Sequence, residues 1–105
     1  MIDRARMEQA LDFLATTDEE YAQLRTNVKR CEYLLKRKEA IAYVSHDGTV
    51  KERKVRSRLD AEVQAAYDSH TDSMELFERI SAKRQTEALI IEIWRSLESS
   101  RRLGQ

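Results

Sequence analysis

The sequence predicts an all-α fold: a long antiparallel helical hairpin, coiled-coil-like, with a short N-terminal helix and a capped turn at 46–49. Three observations carry that prediction. The chain has no proline and only two glycines, Gly48 and Gly104, so Gly48 is the one strong breaker in its interior. Tyr21, Val28, Leu35 and Ala42 fall seven apart, and Leu24 and Cys31 follow the first two by three, which makes a heptad seam. Helix-capping signals stand after the break and near residue 17. A chain of 105 residues suits a single helical domain over 1–105.

The first element is a helix over 3–16, with Met7, Ala10, Leu11 and Leu14 on one face. Thr17 with Glu20 three residues on is a capping box, and Asp18 and Glu19 suit the positive end of a helix dipole. A boundary is therefore expected here, with Thr16 and Glu19 as an equally legal register. The second helix, 17–45, carries the heptad seam, which Lys38 interrupts. The run Ala40-Ile41-Ala42-Tyr43-Val44 before Asp47-Gly48 also admits a β-hairpin. Helix is preferred, because the heptad phase carries through Ala42 and no alternation follows Gly48.

Gly48 fits a left-handed residue just past a helix C-terminus. Thr49 with Glu52 is a second capping box and opens a short basic helix, 49–58. Ser57 or Asp60 can then cap the last helix, 60–102, whose apolar positions are Val63, Tyr67, Met74, Phe77, Ile80, Leu89, Ile91, Ile93, Trp94 and Leu97. At about 1.5 Å per residue, that helix is roughly 60 Å long. Between Ala88 and Leu97 its apolar residues surround most of the helix, more than one neighbour covers. A homodimer forming a helical bundle is expected, anchored by Leu89, Ile91, Trp94 and Leu97. The alternative covers are the N-terminal helix folded back or a different protein.

Charge is divided along the chain although the formal net charge is zero. Residues 29–58 hold ten basic and four acidic side chains, whereas acids outnumber bases in 1–28 and again in 59–98. In a hairpin the basic segment is the tip. Its cations are Lys29, Arg30, Lys36, Arg37, Lys38, Lys51, Arg53, Lys54, Arg56 and Arg58, with Tyr33 and Tyr43 placed to stack on unpaired bases. These eleven residues, the ten cations and Tyr33, form the expected nucleic-acid or partner-binding set. The plainer reading is a set of solvated helix faces, partly neutralised by Glu32, Glu39 and Glu52.

No catalytic constellation is present in the sequence. Asp68, His70 and Asp72 look like a metal set, but positions two apart on a helix point about 200° from one another. Asp68 and Asp72 share a face, and two carboxylates make a weak cation site. Cys31 sits at a seam position as a small apolar residue, and a lone cysteine forms no internal disulfide. There is no glycine-rich phosphate loop. A non-enzymatic protein with no metal and no cofactor is expected. The start of the chain carries no signal-peptide pattern, and the apolar stretch from Ala88 to Trp94 is too short to span a bilayer. A cytoplasmic setting is expected, with no membrane partner.

Thr17-Asp18-Glu19-Glu20, Cys31-Glu32-Tyr33, the run from Asp47 to Lys54, the run from Ile91 to Leu97, and Arg101-Arg102 together resemble a group of small all-helical proteins from the early regions of tailed bacteriophages and prophages. Gly48-Thr49-Val50 with Glu52-Arg53, and Ile91-Glu92 with Trp94-Arg95, are its most specific parts. The group is often encoded near recombination or single-strand-binding genes. The resemblance implies a bacterial host cell and an accessory role in DNA recombination or replication, through DNA or a DNA-processing protein. It equally implies interference with host defence, by contact with a nuclease or CRISPR-type effector. A purely structural helical dimer is the third expectation.

Overall fold

The computed structural model describes residues 2–104 and is all-helical among them, with no strand. Helix α1 spans Arg4–Ser45, α2 spans Val50–Leu59 and α3 spans Ala61–Leu103. The chain divides into two compact units, each drawing on both long helices: Met1–Ala22 with Glu78–Gln105, and Gln23–Phe77.

Helix α1 starts where Asp3 stands ahead of the first turn and its Oδ1 accepts from the Arg6 N–H at 2.9 Å. The boundary expected at 16–17 is absent, and α1 runs through it. The two threonines face backwards: Thr16 Oγ1 donates to the Asp12 carbonyl at 2.8 Å and Thr17 Oγ1 to the Phe13 carbonyl at 2.6 Å. A hydroxyl bonded one turn back suits a helix interior and is not available as a cap. With no glycine or proline nearby, nothing stops propagation.

The covered positions of both long helices follow one rule. In α1 they step by three and four from Met7 through Leu14, Tyr21, Val28 and Leu35 to Ala42. In α3 they step likewise from Val63 through His70, Phe77, Arg84 and Ile91 to Glu98. This is the 3.5-residue period of a helix held against one neighbour. The α3 seam includes Ser73 and Glu87, both buried, while apolar Tyr67, Met74, Leu89 and Ile93 lie off it and are exposed.

In the first unit Met7, Ala10 and Ile91 form a small core, with Leu14, Ile90 and Trp94 packed on it. The helices run antiparallel there, since Arg6 meets Glu87 while Thr17 and Asp18 meet Arg84. Arg6 pairs with Glu87: Nη2 donates to Oε1 at 2.8 Å, and Nη1 approaches Oε2 to 2.8 Å as an ion pair, without a hydrogen bond at that oxygen. Arg84 donates to the Leu14 carbonyl at 2.9 Å, Thr17 Oγ1 at 2.7 Å and Asp18 Oδ1 at 2.6 Å, and lies 4.9 Å from the Tyr21 ring centre. In the second unit Leu35, Ala42 and Val63 form the core, with Ala66 against it.

Candidate functional site

The second unit carries the basic segment. Gly48 has φ 114°, a left-handed conformation that side chains with a Cβ rarely adopt, so the position favours glycine. Thr49 next to it has extended backbone, and its Oγ1 accepts from the Glu52 N–H at 3.2 Å at the start of α2. Ser57 is buried and donates to the Glu39 carbonyl at 3.2 Å, which seats α2 on α1. The α3 cap falls to Asp60, whose Oδ1 accepts from the N–H groups of Glu62 and Val63. With Ser57 turned inward, the choice left open between these two residues is settled.

This arrangement sorts the expected cations. Lys36 pairs with Glu32 one turn away at 3.1 Å, and Lys38 pairs with Glu62 of α3 at 3.1 Å. The Lys36 ammonium, by hydrogen bond and charge, holds the Glu32 carboxyl below the usual carboxylate range. Arg53 lies 5.7 Å from the Tyr43 ring centre, and Arg56 Nη1 donates to the Asp47 carbonyl at 3.1 Å. Lys29, Arg30, Arg37, Lys51, Lys54 and Arg58 make no ion pair among the described residues.

Lys36, Lys54 and Arg58 come together on an open groove of about 980 Å³ between α1, α2 and the start of α3. Buried Leu35, Ser57 and Val63 line it together with Ala40, Tyr43, Tyr67, Glu39, Gln64 and Asp68. Three cations against two acids leave a modest positive balance, with two aromatic rings to stack on. The other expected cations do not line it, and neither does Tyr33, which is exposed. Tyr67 is the groove residue that sequence reasoning assigned to packing. Its signal was its register: with Val63, Ala66 and His70 on the seam, position 67 falls beside it.

The expected dimer anchors divide. Ile91 is buried in the first unit's core and Trp94 packs against that core, so both are engaged within the chain. Leu89 and Leu97 remain exposed. Among the described residues no three His, Cys, Asp or Glu side chains gather as a metal set, and no helix is long and apolar enough to cross a membrane. No family model matches the chain, and no curated protein or solved structure is significantly similar to it.

Proposed function

We propose that this protein is a non-enzymatic accessory of DNA recombination or replication that holds single-stranded nucleic acid in the groove of its second unit. The observation that carries the reading is the convergence of Lys36, Lys54 and Arg58 with Tyr43 and Tyr67 on one open groove. The cations meet phosphates and the rings meet bases, whatever the base. A duplex hides its base faces in the stack, so the tyrosines favour unpaired strands. The resemblance to early-region phage proteins supplies the setting, the cytoplasm of a bacterial host.

Three phosphate contacts give a log-log salt slope of about −2 on single strands, so binding is weak and salt-sensitive. The test is fluorescence anisotropy with a labelled single-stranded oligonucleotide at about 50 mM salt, a regime where phosphate contacts are strong. K54Q with R58Q lowers the slope by about 1.4, two contacts at roughly 0.7 each. Tyr67→Ala costs about 1–3 kcal/mol of binding without changing the slope. Absence of binding at low salt rejects the reading. A protein-directed role, contact with a host nuclease or defence effector, then takes its place.

A further inference from the structure

Helix α3 carries a second stripe that its neighbour in the chain does not use. Starting at Ala82, the positions Thr86, Leu89, Ile93, Ser96, Ser100 and Leu103 again step by three and four. Each from Ala82 to Ser100 lies two residues from a seam position, which turns it about 200° around the helix, and Leu103 continues the same step. All are exposed, Leu89 at 54% and Leu103 at 86%. None is charged, in a chain whose residues are 36% charged. The same register earlier in α3 reads Asp68, Asp72, Glu75, Arg79, so the charge stops at Ala82.

We infer that this stripe is the face on which a second copy of the chain docks, α3 against α3 antiparallel, about a two-fold axis near Trp94 and Arg95. A 3.5-residue period fits another helix, and an uncharged stripe meets its own copy without opposing like charges. Size alternation selects the antiparallel register. Ile93 then faces Ser96 of the second copy, Leu89 faces Ser100 and Leu103 faces Thr86, large against small in each layer. Flanking positions agree: Ile90 lies beside Leu97 of the second copy, and Glu92 beside Ser99 rather than beside another Glu92. Two stripes of about 32 Å packed at roughly 9 Å bury on the order of 600 Å². That is little more than a third of a standard interface of about 1,600 Å², so the dimer is weak and concentration-dependent. The inference is independent of the groove, which belongs to the other unit.

Sedimentation velocity from about 5 µM to about 500 µM, a range that brackets micromolar to near-millimolar dissociation constants, tests it. The expected mass rises toward twice that of the chain. Leu89→Glu with Ile93→Glu keeps the helical circular dichroism and stays at the monomer mass throughout. Leu76→Glu, an exposed apolar position off the stripe, dimerises like the parent. In a C31S background, spin labels at K83C stand about 35 Å apart in this register, about twenty-three residues of stagger at roughly 1.5 Å each. A monomer at every concentration overturns the inference and leaves the stripe to a different protein. Dimerisation that survives L89E/I93E, or labels about 10 Å apart as in a parallel pair, overturns it as well.

Discussion

The two units share the same two helices and are held with different emphasis. The first is fastened by charge: Arg6 on Glu87, and Arg84 across Leu14, Thr17 and Asp18, flank a core of three buried residues. The second adds fit to an ion pair: Leu35, Ala42 and Val63 pack, buried Ser57 seats a third helix, and Lys38 meets Glu62 across α1 and α3. The difference teaches where this chain places its specificity. Directional guanidinium bonds fix which turn of α1 meets which turn of α3, something a seam rich in small residues does weakly. The second unit leaves its cations at the surface, where a ligand reaches them.

Removing the fasteners is the way to break that comparison, and Arg84 is the largest. Arg84→Ala deletes three charge-assisted hydrogen bonds to α1, two to neutral acceptors and one to a carboxylate. Urea unfolding should show a loss of about 3 kcal/mol. Arg6→Ala comes next, with a smaller loss, because it leaves the Glu87 carboxylate without its partner. Glu87→Gln costs less, since Arg6 is 36% exposed and stays hydrated. Gly48→Ala tests the second unit and costs about 1–2 kcal/mol, through a left-handed φ that alanine adopts only with strain. Lys54→Gln changes stability by no more than about 0.5 kcal/mol, as an exposed residue off the fastenings does.

Acid sharpens the same contrast. The Arg6 hydrogen bond holds the Glu87 carboxyl below the usual range, against the opposing effect of burial, with the charges of Arg6 and Lys83 assisting. A depressed carboxyl stabilises the fold fully above its unfolded value of about 4.3 and loses that contribution as pH falls through the lower folded value. Thermal melts between about pH 6 and pH 3 should therefore fall more steeply for the parent than for Glu87→Gln, which has nothing to protonate.

The helical class, the break at Gly48 and the α1 seam were legible because apolar residues mark them: Tyr21, Leu24, Val28, Leu35 and Ala42 announce their own period. The α3 seam was not. His70, Ser73, Arg84, Glu87 and Glu98 occupy seam positions, and Leu89 and Ile93 sit opposite them, so hydrophobicity points to the wrong face. Thr17-Asp18-Glu19-Glu20 reads locally as a helix start. What binds Thr17 and Asp18 into a helix interior is an arginine at position 84. The basic segment was visible as composition, but composition does not say that Lys36, Lys54 and Arg58 converge while Lys38 and Arg56 are held by their neighbours.

The central claim is that the second unit binds and the first unit fastens. Titrating a short single-stranded oligonucleotide into ¹⁵N-labelled protein at about 50 mM salt tests it residue by residue. The account predicts shifts at Tyr43, Lys54, Arg58 and Tyr67, with Arg6, Arg84 and Glu87 unmoved. A spectrum that does not change, or that changes only among residues of the first unit, would contradict it.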